Sequence, residues 1–138
     1  MKNFIAGVAV LLLLISFPLQ TALELANEKR INRFSDIVYV ATQTARTDGY
    51  FTEENINNIR SQLMAAFPDL AESDIYINVT TTPKYRLDVF DDREAIYYDI
   101  RIPVRKILVA PGLFGLSETG NSYVSQRQGF VLSEVPMP

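Results

Sequence analysis

The chain has 138 residues, 48% of them hydrophobic and 21% charged, with a formal net charge of -3. That length houses one domain of ordinary size, and the mild acidity offers no electrostatic pull on nucleic acid. Histidine and cysteine are absent, so disulfides, thiolate nucleophiles, the commonest general base and most transition-metal ligands are excluded together.

From Phe4 to Leu23 the sequence reads FIAGVAVLLLLISFPLQTAL, without a charged side chain. A helix needs about 20 such residues to cross a hydrocarbon core roughly 30 Å thick. Residues 1–23 are therefore expected to form a membrane-spanning or leader segment. In it Phe4, Ile5, Val8, Val10, Leu11, Leu12, Leu13, Leu14, Ile15, Phe17 and Leu19 would pack against lipid or neighbouring subunits. Lys2 and the amino group supply the positive flank that stays cytoplasmic, which places residues 24–138 outside as an extracytoplasmic head. The alternative is a cleaved export signal that releases or tethers a small ligand-binding module. Against it, Ala22 has Gln20 rather than a small residue two positions before it. Pro18 pulls toward it, since proline disturbs a helix, although membrane helices tolerate proline.

Residues 24–46 keep a helical pattern. Ile31, Phe34, Val38, Ala41 and Ala45 recur at spacings of three and four, with Glu28, Arg30, Asn32, Asp36 and Gln43 on the other faces. These five apolar residues are expected to pack the helix onto the head. Asp48-Gly49 supplies a stop, because glycine takes the left-handed conformation that ends helices. The spacing thus predicts one helix over residues 4–47, roughly 65 Å long, half apolar and half amphipathic.

Thr52 is a suitable N-cap, with Glu53 and Glu54 next to it at the positive end of a helix dipole. A second helix is expected from there to Phe67, burying Ile56, Ile59, Leu63 and Phe67. Beyond Ser73 the period becomes two. Ile75, Ile77 and Val79 predict one strand, and Tyr85, Leu87 and Val89 a second across a turn at Thr82-Pro83-Lys84. Ile96, Tyr98, Ile100, Ile102 and Val104 predict a third, with Tyr97, Asp99 and Arg101 on a wet face and Pro103 where the strand meets an edge. Residues 122–133 predict a fourth, and the tail from Val135 is expected to form little. The fold expected is α+β: a long N-terminal helix, a short second helix and a four-stranded antiparallel meander packed on the first helix.

No motif for catalysis emerges. Gly112, Gly115 and Gly120 fit neither a Walker loop nor a dinucleotide fingerprint, and no serine sits in a nucleophile elbow. Carboxylates cluster at Asp69, Glu72 and Asp74 and at Asp91, Asp92 and Glu94, without the spacing of a calcium loop, and are read as solvated turns. Arg101, Arg105 and Lys106 with Tyr97 and Tyr123 could face nucleic acid, but Asp99 and Glu94 lie among them, so a wet sheet face is the better reading. The connection from Ala110 to Gly120 carries apolar Leu113, Phe114 and Leu116, a candidate partner loop or ligand grip. No catalytic residue, cofactor, metal or small-molecule substrate is expected.

In layout the whole chain resembles type IV pilin-like proteins, most closely the TadE-like minor pilins and assembly proteins of tight-adherence pili. The likeness rests on the short leader Met1 to Gly7, the uninterrupted helix through TQTARTDGY at 42–50 and the strand meander behind it. The resemblance implies Gly7 as a processing position, partners among pilin-like subunits or secretion-system assembly proteins, and incorporation into a surface filament. Such proteins commonly carry a glutamate at the fifth mature position. Counted from Val8 that position is Leu12, and no acidic residue precedes Glu24. The departure points to a minor, priming or membrane-resident role.

Overall fold

A computed structural model describes residues 1–87 and 91–138. Helix α1 runs over Lys2–Asp48 and α2 over Glu53–Ala66, and three strands come after them: β1 (Tyr76–Val79), β2 (Ala95–Arg105) and β3 (Ser122–Leu132). They form a single antiparallel sheet in the order β1-β2-β3. Residues group into two compact units, Met1–Lys29 with Val104–Tyr123, and Arg30–Pro103 with Val124–Pro138.

Both helix ends obey local chemistry. Gly49, at φ 84°, closes α1 in the left-handed region. The Thr52 hydroxyl accepts the Asn55 amide proton at 3.1 Å, satisfying one of the four donors left open at the start of α2. Pro18 lies inside α1 without ending it. The ring removes one helical donor, while nearby Ser16 and Thr21 return their hydroxyls to the carbonyls of Leu12 and Phe17.

The core lies in the second unit. Phe34, Val38, Ala41 and Ala45 are buried as their spacing predicts, Ile31 is half-buried, and Ile37 is buried beside them. They meet Ile59, Leu63 and Phe67 of α2 and its C-cap, together with Ile96, Ile100 and Ile102 of β2. Side chains on alternate β2 positions stand on opposite faces. Hence Tyr97 and Arg101 are exposed while Ile96 and Ile100 have no accessible surface. The β1–β2 ladder pairs Tyr76 with Arg101 and Val79 with Tyr98. It stops two residues short of Pro103, so the missing proline donor costs no bond on that flank.

Among the described residues the fourth strand expected around Tyr85 and Leu87 is not part of the sheet; Asp88 and Val89 lie outside the described residues. The backbone of residues 84–87 is engaged elsewhere. Lys84 N donates to Gly49 O at 2.9 Å, Arg86 N to Val135 O at 2.6 Å, and Leu87 N to a Glu94 carboxylate oxygen at 2.8 Å. Arg86 forms an isolated parallel bridge with Pro136. The tail expected to form little thus takes part of the place assigned to a strand. Glu94, read from sequence as a solvated turn residue, is only 4% exposed, because its side chain caps that backbone.

Candidate functional site

Two surfaces concentrate the residues singled out from sequence, and the first lies within the unit of Met1–Lys29 and Val104–Tyr123. The apolar stretch of α1 is long and apolar enough to cross a membrane, and none of its most apolar 18-residue window is buried. Phe4, Leu13, Leu14 and Phe17 are each at least two-thirds exposed, and Ile5, Val8, Val10, Leu11, Leu12, Ile15 and Leu19 are exposed with them. Gly7 is exposed on the same helix and has nothing within 4 Å of where a Cβ would stand. Exposing a continuous run of this kind to water is unfavourable by roughly 25 cal/mol per Å2 of apolar surface, so the stretch requires an apolar environment that the fold itself does not supply.

The connection after β2 is held to this helix by amide side chains. Asn27 Nδ2 donates to Lys106 O at 3.0 Å. Gln20 Nε2 donates to Ile107 O at 2.9 Å, and Gln20 Oε1 accepts from Val109 N at 3.1 Å. Asn121, at 2% exposure, closes the other side. Its Oδ1 accepts from Ile107 N at 3.1 Å and Leu108 N at 2.8 Å, and its Nδ2 donates to Leu108 O at 2.8 Å. In the 3-10 turn Pro111–Phe114 the proline is buried, and Gly115 behind it is in the left-handed region at φ 71°. Leu113, Phe114 and Leu116 remain exposed. Sequence reasoning singled out these three and missed Gln20 and Asn121, for amides within apolar or loop segments carry no periodic signal.

The second surface is the wet face of the sheet. Arg101 stands 5.0 Å from the centroid of Tyr76, and the Tyr97 and Phe130 rings are 5.9 Å apart. A groove of about 520 Å3 runs here, lined among others by Asn78, Thr80, Tyr97, Asp99, Gln128 and Phe130. Arg101 donates to both Asp99 oxygens, at 3.0 and 2.5 Å, and Gln126 adds a third donor at 2.8 Å. These bonds, Arg101 first, hold the Asp99 carboxyl below its ordinary value, while Arg93 does the same for Asp91. A lowered carboxyl favours the folded state above about pH 4 and ceases to do so as pH falls through the lowered value. Urea midpoints of the parent and Asp99→Asn chains should therefore differ at pH 6 and draw together as the pH falls below the ordinary carboxyl value and through the lowered one. A difference that is unchanged across that range would show that the Asp99 charge contributes nothing.

The acidic clusters are engaged by the protein's own groups. Asp69 pairs with Arg30, Glu72 with Arg60 at 3.3 Å, and Asp74 accepts the Ala71 amide proton at 3.0 Å. Among the described residues no group of three or more Asp or Glu side chains could hold a metal ion. Arg101, at one edge of the aromatic patch, is already paired with Asp99, which lowers its capacity to bind phosphate.

No family model matches the chain, and no characterised protein or solved structure is significantly similar to it.

Proposed function

We propose that the chain is a pilin-like structural protein, a minor subunit or an assembly component of a tight-adherence type pilus or related secretion system. In this reading α1 anchors it in the membrane with the N-terminus cytoplasmic and the head outside. Support comes from α1 itself, one helix whose N-terminal half exposes a continuous apolar surface while its C-terminal half carries the core of a folded unit. Inside a bilayer the hydrophobic effect does not drive helices together, so such a helix associates by close packing. The stretch IAGVAV at residues 5–10 keeps small Ala6 and Gly7 available for that approach.

The absence of cysteine makes the test direct. A Leu12→Cys chain, oxidised in native membranes, is expected to give disulfide-linked species heavier than the monomer, and the same species in sheared surface filaments if the chain is a subunit. Cross-links confined to the membrane fraction would indicate an assembly component. A chain that stays monomeric under oxidation would show that copies of this helix do not pack together at Leu12.

A released ligand-binding module is the second reading, and the sheet groove beside Tyr97 and Phe130 is the observation in its favour. It leaves the exposed apolar half of α1 without a use unless that half is removed.

A further inference from the structure

The loop between β2 and β3 has properties that partner gripping does not require. From Ile107 to Ser117 it reads ILVAPGLFGLS, with no charged residue. Its most apolar entry, Ile107-Leu108-Val109, has its backbone groups taken by side-chain amides: both groups of Ile107 and of Leu108, and the amide proton of Val109, are bonded to Gln20 or Asn121. Backbone that enters a lipid phase must be satisfied internally, because no water is there to do it. Leu113 and Phe114, 80% and 71% exposed, then project from a turn rooted on buried Pro111.

The level at which the loop is pinned matters as much. Lys106 is tied to Asn27, whereas Ile107 and Val109 are tied to Gln20, seven residues nearer the N-terminus of α1. The two amides stand about 10 Å apart along the helix axis, and their side chains reach toward consecutive residues of the connection, so from Lys106 to Ile107 its anchorage passes to the end of α1 nearer the apolar stretch. Gln20 lies about 24 Å along the axis from Phe4, within the last turn of a stretch that covers a hydrocarbon core of roughly 30 Å. The first acidic residue of the chain, Glu24, comes one turn later.

We infer that residues 107–117 form a second, interfacial membrane contact, in which Leu113 and Phe114 insert into the outer leaflet beside the helix at the level of the acyl-headgroup boundary. The inference rests on the membrane-anchored reading of α1. The occupant of this surface is lipid and not a second copy of the chain. The loop belongs to the same compact unit as the apolar stretch, the backbone of its entry at residues 107–109 is capped as a lipid environment demands, and exposed Lys106 stands before it, where lipid phosphates would lie. Phenylalanine and leucine beside a basic residue are the composition of interfacial anchors.

The chain has no tryptophan, so single tryptophans report depth without background. The full chain carrying Phe114→Trp, reconstituted in phosphatidylcholine vesicles, is expected to show blue-shifted emission, quenched more by lipid labelled near the headgroup than by lipid labelled at the chain end. Leu11→Trp, in the middle of the apolar stretch, should show the reverse order. If Leu11→Trp is not quenched by either lipid, the anchored reading itself fails. If Leu11→Trp is quenched at depth but Phe114→Trp emits as in water, the loop does not enter the leaflet. Blue-shifted Phe114→Trp emission with no lipid quenching would mean that protein covers the loop, which also overturns the proposal.

Discussion

Gly49→Ala is expected to destabilise the unit that contains the core by about 3 kcal/mol, a sizeable share of the roughly 5–15 kcal/mol that holds a domain folded. Two effects add. Gly49 sits at φ 84°, where a side chain costs roughly 1–2 kcal/mol. The added methyl would also stand 2.7 Å from the backbone carbonyl oxygen of Lys84 and 3.1 Å from Val135, and neither is the free end of a flexible chain. The carbonyl of Gly49 accepts the Lys84 amide proton, and Ser133 Oγ donates to Lys84 O at 2.7 Å, so the clash reaches the junction of α1, residues 84–87 and the tail. Thermal unfolding of the full chain in detergent, monitored by circular dichroism, measures it. A melting temperature unchanged from the parent would show that this junction can shift at no cost.

Asn121→Ala should have the next largest effect, concentrated in the loop. It removes the partner of three backbone groups in a site only 2% exposed. Leaving such groups unsatisfied costs about 1–3 kcal/mol each, so protection of the Ile107 and Leu108 amides against hydrogen exchange should fall by roughly a hundredfold. The amides of Ile96 and Ile100 in β2 should keep their protection. Unchanged exchange at 107 and 108 would show that Asn121 is not what holds the loop.

The features legible in the sequence were those that repeat. Phe34, Val38, Ala41 and Ala45 mark a helical stripe, Ile96 to Val104 a strand face, and Thr52 and Gly49 the ends of helices, and each is where its pattern places it. Periodicity records which face is buried, not where backbone hydrogen bonds go. Tyr85 and Leu87 alternate as a strand would, yet their segment bonds to Gly49, Val135 and the Glu94 carboxylate, and among the described residues the sheet has three strands instead of four. The same blindness hid Gln20 and Asn121, whose bonds to residues 107–109 join positions 13 to 89 apart in the chain. It also hid the grouping of residues 104–123 with the first 29, since no local pattern announces a distant partner. The exposed Leu113 and Phe114 were readable as apolar residues in a loop; the tie of that loop to Gln20 through Ile107 and Val109 was not.

The function proposed for the chain depends on whether its apolar helix stays with the molecule. The mass of the intact protein isolated from native membranes decides this most directly. An anchored pilin-like protein should begin at Met1, or at Val8 after removal of the leader, with the apolar stretch retained in either form. A soluble protein whose mass places its first residue near Leu23 or Asn27 would contradict the anchor, and with it the helix packing and the interfacial loop.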